Sequence, residues 1–407
     1  MKVLFVCPQA HHVGHPPWAA SHETEVLAQA GNEVTLLTAC GIRHGCDCKV
    51  PELKVYDPHK HPRFSMWHNK LLEHTLTQWL CRIIEVDLVL DKAMRIRKQY
   101  DVIHLRDGEP FIFASHLWGT LLKTKWLVSL MGGNVTIPAS SKKQRSKKLA
   151  LYRGVFNFLI NNKLWNLAYR AGNRHSQFQY ITQDTQTKEH YQPLFGEKIT
   201  VVPMGSVSED CRVTQEEARL HLGLPLDKIV LLLFGVPHSG KNHSVVFQAV
   251  KEQRDTLLVA AGDHAMSLGE SSVALAQKYH LDGQAKIYDY FISEKEKPYY
   301  FKAADAVVLS YTRAFSSTSS MLWEACRYQV PVIASNANVL GELVRDNQLG
   351  LLFEAENVAS LKSSIMNVTA LRGNGQFYRD NCQRFAQTNS LEVWAKKVNA
   401  IYAKYRK

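Results

Sequence analysis

"AADAVVLSYTRAFSSTSSMLWEACRYQVPVIAS", residues 303–335, decides the fold. It opens on an apolar run and passes through a loop rich in hydroxyl residues. It then enters a segment with helical spacing of Met321, Leu322, Ala325 and Tyr328, and closes on a second apolar run. Short runs that are apolar on both faces and joined through a helix indicate parallel strands covered by helices. The same rhythm extends outward. "KIVLLLFG", "TLLVAAGD" and "KIYDYF" precede this stretch, and "KVLFVC", "SHETEVLAQAG", "EVTLLTA", "DVIHLR" and "WLVSLMGG" supply it in the first half. The pattern predicts an α/β protein of two doubly wound domains.

The chain's 407 residues exceed what one hydrophobic core organises, so two domains of roughly 200 residues each, with a cleft between them, are expected. Pro203, Gly205 and the polar run after them place the hinge near residues 203–215. The predicted boundaries are 1–202 for the first domain, 203–385 for the second, and 386–407 for a C-terminal helix packing back on the first. With 45% hydrophobic and 21% charged residues, the composition is globular and excludes extensive disorder. No apolar stretch reaches the roughly 18 residues of a membrane-spanning helix, and polar residues rather than a cleavage pattern follow "MKVLFVC". Of the eight cysteines only Cys40, Cys46 and Cys48 cluster, near His44, at a spacing that matches no common zinc pattern. Reduced cytosolic thiols are the reading, with no metal. The formal charge of +12 favours a phosphate-bearing partner without choosing one.

In open parallel sheets ligands sit beyond the carboxyl ends of the strands. One such end is the hydroxyl-rich loop, where Ser319 or Ser320 is placed to cap the following helix and leave backbone N–H groups facing a phosphate. By itself this stretch reads more readily as an ordinary capped helix. A second end is "LLLFGVPHSGKNH", with Gly235 in the turn and Lys241 at a helix start. It is not a Walker loop, but its cation is positioned to neutralise a diphosphate.

The second half resembles the donor domain of the family-four retaining glycosyltransferases. The resemblance runs through "FGVPHSGKN", "LLVAAGD", "YFISEKEKPYYFKAADAVVLS", "EACRYQVPVIAS" and "GELVRDNQLGLLFE", in order and at the family's spacing. It implies the GT-B architecture, two facing Rossmann-like domains with an interdomain cleft. It also implies transfer of a sugar, with retention, from a nucleotide-diphosphate donor to a glycan, lipid-linked or small-molecule acceptor. Gly235 and Lys241 match the family's diphosphate-binding loop, while Val236 and Asn242 stand where the family has Arg and Gly. Glu324 matches the glutamate that meets the nucleotide ribose, and Ser316 occupies the place of the glutamate that grips the donor sugar. Ser319, Ser320 and their backbone amides are implied as the diphosphate seat. In the first half, Gly14 matches the family's glycine loop, "DVIHLRDG" resembles its Asp-x-Ile-His strand, and Met131 replaces a common histidine.

The resemblance makes Asp107, His15 and Lys241 the catalytic candidates, with Arg106 and His104 as further polar groups near the cleft. His104, inside "VIHL", also reads as a satisfied strand histidine. A helix terminus and a basic side chain can neutralise a departing diphosphate, so neither cofactor nor metal is required. Five cations within seven residues, Lys142, Lys143, Arg145, Lys147 and Lys148, precede an apolar helical pattern. That composition fits docking on an anionic membrane surface, and equally a solvated basic helix. No nucleic-acid module is recognisable, so nucleic acid is not expected as a partner. The expected location is cytoplasmic, peripheral on the inner face of the membrane. Two other readings stand beside transfer. One is a nucleotide-sugar epimerase of the same fold; the other is a silent glycan- or membrane-binding relative, to which Val236, Ser316 and Met131 point.

Overall fold

The computed structural model describes residues 1–10, 15–42, 52–57, 88–106, 125–130, 177–207, 211–237, 240–251, 253–263, 270–315, 318–368 and 375–405. The chain divides into two units, Met1–Pro203 with Ala395–Lys407, and Met204–Trp394.

The first unit is built on β1 (Lys2–Val6), α1 (His15–Gln29), β2 (Glu33–Ala39), β3 (Leu53–Tyr56), β4 (Val102–Leu105), β5 (Lys125–Leu130), β6 (Gln177–Thr182), α2 (Thr185–Phe195) and β7 (Ile199–Val201). Its strands lie in the order β3-β2-β1-β4-β5-β6-β7. All the pairings are parallel. The central strands are buried on both faces, which is why "VLFV" and "VIHL" read as continuous runs rather than alternating ones.

The second unit contains α3 (Gln215–His221), β8 (Ile229–Phe234), α4 (His243–Val250), β9 (Thr256–Ala261), α5 (Ser272–Lys278), β10 (Ala285–Tyr288), α6 (Lys297–Ala303) and β11 (Ala306–Leu309). These are followed by α7 (Ser320–Arg327), β12 (Val332–Ser335), α8 (Asn338–Asp346), β13 (Gly350–Phe353), α9 (Val358–Met366) and α10 (Gly375–Thr388). The strand order is β10-β9-β8-β11-β12-β13, again parallel throughout. On β8, Val230 and Leu232 belong to one apolar cluster and Leu231 and Leu233 to another, so the sheet is sandwiched between two cores. The order reverses between β8 and β11, and a doubly wound sheet opens its ligand crevice at such a switch.

A buried ion pair holds the amino ends of those two strands. Arg219 on α3 donates to Asp305 Oδ2 at 2.8 Å, to Ala303 O at 3.0 Å and to Leu226 O at 2.8 Å. Asp305 Oδ2 also accepts from Val230 N at 2.7 Å.

Within the segment 386–407, where one C-terminal helix is expected, the chain forms the last turn of α10 and the whole of one further helix. α10 contributes Cys382 and Phe385 to the second unit's core, and α11 (Leu391–Ala403) follows a break at Asn389 and Ser390. The residues from Ala395 onward belong to the first unit. There the Tyr402 hydroxyl lies 2.7 Å from His104 Nδ1, and Asn32 Nδ2 donates to Asn399 Oδ1 at 2.8 Å. His104 Nε2 lies 2.7 Å from Ser129 Oγ, so the fully buried ring is satisfied on both nitrogens, as a strand histidine should be. Burial, and secondarily the nearby charge of Arg106, push its pKa down to about 3.

Two outcomes follow for stability. Below the unfolded-state pKa of 6.5 the unfolded chain takes up a proton that folded His104 refuses until about pH 3. Stability should therefore fall across that window, by on the order of 4–5 kcal/mol from this ring. Urea titrations of His104→Gln against pH should show a correspondingly shallower acid loss than wild type. Arg219→Leu leaves the Asp305 carboxylate buried without its cation and should lower unfolding stability by about 3–5 kcal/mol in the same assay.

Candidate functional site

The carboxyl end of β8 forces the chain into a conformation that favours glycine. Gly235 has φ of +90°, and its N–H donates to Ala261 O at 2.8 Å. Gly262, at the end of β9, packs so closely that a Cβ there would fall 2.8 Å from the Gly235 carbonyl carbon. After the turn, Lys241 forms an isolated antiparallel bridge with Tyr311 just beyond β11. Asn242 N donates to Ser310 O at 2.6 Å, and Thr312 N to Gly240 O at 3.0 Å. The lysine backbone is thus fastened across the switch point.

The Lys241 ammonium turns back over the strand end and donates to Phe234 O and Val236 O, each at 3.3 Å. These carbonyls compensate only part of its desolvation, and burial lowers its pKa to about 8. Among the described residues it has no carboxylate partner. A Cβ on Gly235 would lie 3.3 Å from Lys241 Nζ and 3.8 Å from Met321 Sδ, so Gly235, Lys241 and the first turn of α7 meet.

Ser319 holds the N-cap position of α7 in extended backbone, φ −104° and ψ 117°, as the sequence suggests. Its hydroxyl does not cap the helix, however. It lies 2.7 Å from the Tyr311 hydroxyl, inside the unit, and makes no capping hydrogen bond to the first turn of α7. Burial holds Tyr311 as the neutral phenol, its pKa pushed up to about 12. Ser320 is the first helical residue.

Glu324 lies on the same helix, 8% exposed. The resemblance assigns it to a ligand, and the structure adds an internal charge network. Glu324 Oε1 stands 3.6 Å from Lys297 Nζ, and Oε2 stands 3.6 Å from Arg327 NH1. Lys297, Arg327 and Tyr311 carry no signal in the sequence that marks them as part of this site. Lys297 sits in "SEKEKPYY", a charged run before proline that reads as a solvated helix start, and only its burial exposes the error.

Gly235, Lys241, Ser319, Ser320 and Glu324 thus all lie in one unit, on the β8 turn and on α7. Arg106, expected as a polar group near a cleft, is instead an internal residue of the first unit. Its Nε lies 2.9 Å from Glu23 Oε2, with both side chains buried, because an unpaired guanidinium could not be accommodated there. His104 is likewise internal. His15 begins α1. Gly14, Asp107, Met131, Ser316 and the basic cluster Lys142, Lys143, Arg145, Lys147 and Lys148 lie outside the described residues, as do Cys46 and Cys48. Among the described residues no group of three or more His, Cys, Asp or Glu side chains is arranged to hold a metal ion.

The family model "Glycosyl transferases group 1" matches residues 214–388, all within the second unit. Compared by sequence alone, the chain has no significant match among curated proteins. Its fold is widely shared. A glycosyltransferase from Rickettsia africae is similar with a TM-score of 0.67 at 16% identity, covering 100% of this chain and 98% of that one. Sucrose-phosphate synthase from Thermosynechococcus elongatus has a TM-score of 0.67 at 18% identity, over 99% and 98% of the two chains. HepE of Anabaena, solved with UDP, has a TM-score of 0.67 at 14% identity, over 99% and 100%. The two parallel α/β units are those of the GT-B fold.

Gly235→Ala forces a side chain into left-handed backbone against the Lys241 ammonium. It should lower stability by about 1–3 kcal/mol in urea unfolding. Gly223→Ala, also at positive φ but with only the Lys286 ammonium at 3.5 Å nearby, is the comparison that isolates the backbone term.

Proposed function

We propose that this chain, whose second unit matches the group 1 glycosyl transferase model, moves a sugar from a nucleotide-diphosphate donor to an acceptor with retention. The observation that carries the reading is Lys241: its backbone bridges to Tyr311 beyond β11, and its ammonium lies with Met321 of α7 around Gly235, beside a first turn that the Ser319 side chain does not cap. Both features favour a multiply charged anion. The helix end offers backbone N–H groups and the positive end of its dipole, and the lysine offers a partly desolvated cation whose attraction is weakly screened.

In glycosyl transfer the bond from the anomeric carbon to the diphosphate oxygen breaks as positive charge builds on the sugar, and the leaving group departs with its electron pair. A pre-placed cation and helix terminus stabilise that developing charge without moving. Since these groups belong to the chain, transfer is proposed to need no divalent metal. HepE is solved with UDP and with UDP-glucose, which makes uridine diphosphate sugars the first donors to test. Glu324 is assigned to the ribose, and Ser316 to a weaker contact with the sugar than a carboxylate provides. The first unit is assigned to the acceptor, with His15 and Asp107 as its catalytic candidates, and the Gly14 backbone is assigned to the donor. The basic residues from Lys142 to Lys148 suit an acceptor presented at an anionic membrane surface. None of the described helices is long and apolar enough to cross a membrane.

Release of free nucleoside diphosphate from a panel of nucleotide sugars, with EDTA present, tests the proposal; no release with any donor and acceptor extract would overturn it. A sharper outcome concerns the proton. With Lys241 titrating at about 8 in the empty protein, a bound diphosphate should raise that pKa and draw in a proton. Calorimetry at pH 8 in buffers of different ionisation enthalpy should register net proton uptake, and affinity should fall as pH rises further. Lys241→Met should abolish the uptake and weaken binding by about 10–150-fold, the equivalent of one charge-assisted hydrogen bond.

A further inference from the structure

Glu324 is bracketed by charges that the transfer reaction does not itself require. Lys297 opens α6 and is buried, yet its ammonium lies 3.6 Å from Glu324 Oε1 and 2.5 Å from Glu294 Oε1. Arg327 spans the same two carboxylates, 3.6 Å from Glu324 Oε2 and 3.9 Å from Glu294 Oε2. Two anions and two cations therefore alternate around a nearly closed ring. Burial pulls the Lys297 pKa down, but Glu324 and Glu294 together outweigh it and leave it above the ordinary lysine value.

The distances divide the labour. At 2.5 Å Lys297 is hydrogen-bonded to Glu294, whereas 3.6 Å to Glu324 is an ion pair too long for a hydrogen bond. Glu324 thus receives a counter-charge without using its acceptor sites. A buried carboxylate with no cation nearby would be driven toward its neutral form, a poorer acceptor. One with an ammonium in direct contact would have its lone pairs occupied. Glu324 Oε2 is sealed from solvent and has no hydrogen-bond partner among the described residues, so Oε1, on the Lys297 side, is the oxygen left for a ligand hydroxyl.

We infer that Lys297 is a positioning residue: tethered by Glu294, it sets a positive charge beside Glu324 while leaving Oε1 open to accept from a vicinal diol, the ribose of the donor nucleotide. The inference rests on the nucleotide reading above. It assigns "SEKEK" a part in donor recognition, since Glu294 and Lys297 act through a glutamate on another helix.

Calorimetric titration with UDP and with its dideoxyribose analogue tests the inference, with thermal melts confirming that each variant folds. Lys297→Met should weaken UDP binding about tenfold, the scale of a hydrogen bond to a charged acceptor, and leave the analogue unchanged. Lys297→Arg should restore most of the affinity. In a Glu324→Gln background, Lys297→Met should have no further effect. If Lys297→Met does not fold, Glu294→Gln provides the second variant, since the released ammonium can close on Oε1 and should give the same ribose-dependent loss. Equal weakening of both ligands, or an undiminished effect without Glu324, overturns the inference and leaves the nucleotide reading intact. Wild-type protein that binds none of UDP, ADP and GDP overturns both.

Discussion

Asp305 accepts from the Arg219 guanidinium and from the Val230 amide at once, and by doing so it sets β8 against β11 in one register. Ala306 pairs with Leu231 and Val307 with Leu232. Everything at the opposite ends of these strands inherits that alignment. A slip by one residue would exchange the two faces of a strand that is apolar on both, so side-chain burial alone resists it poorly, and a buried charge pair resists it strongly. The turn at Gly235 and the loop after Leu309 are adjacent because the amino ends are pinned.

At the carboxyl ends the physical problem changes sign. The sheet's own hydrogen bonds are used up, and what remains are carbonyls, an ammonium and helix N–H groups. Lys241 is lodged against two carbonyls rather than a carboxylate, so its charge is stabilised only in part, and its lowered pKa records this. Ser319 adds to the same state by turning its hydroxyl toward Tyr311 instead of capping its own helix. An internal carboxylate or a good cap would each have made the empty protein more comfortable and the site less receptive to an anion.

Most of the architecture was legible because parallel strands with two buried faces leave unbroken apolar runs. β1, β2, β4, β5, β8, β9, β11 and β12 all announce themselves in this way. β6 did not, since Gln177 and Gln179 interrupt "QFQYIT" where it is partly exposed, and β3, at the sheet edge with Leu53 and Val55 outward, has no buried run to show. Of the site, Gly235, Lys241 and Glu324 were readable from spacing and resemblance. Lys297 and Arg327 were not, because a lysine in a run of alternating charge carries no mark of burial. Arg106 misled for the converse reason: its place after a strand suggested a ligand-facing end, while its partner Glu23 is distant in sequence and only folding brings them together.

The chain leaves the first unit after Pro203 and re-enters it at Ala395, so the second unit is, in connectivity, an insertion within the first. During synthesis the seven-stranded sheet can assemble early, but His104 has no Tyr402 to meet until the ribosome has made the entire second unit. Until then only the Ser129 hydroxyl, of the two that meet the imidazole nitrogens, has been made. The last helix thus finishes a strand made 298 residues earlier, so the first unit is the last part of the chain to be completed.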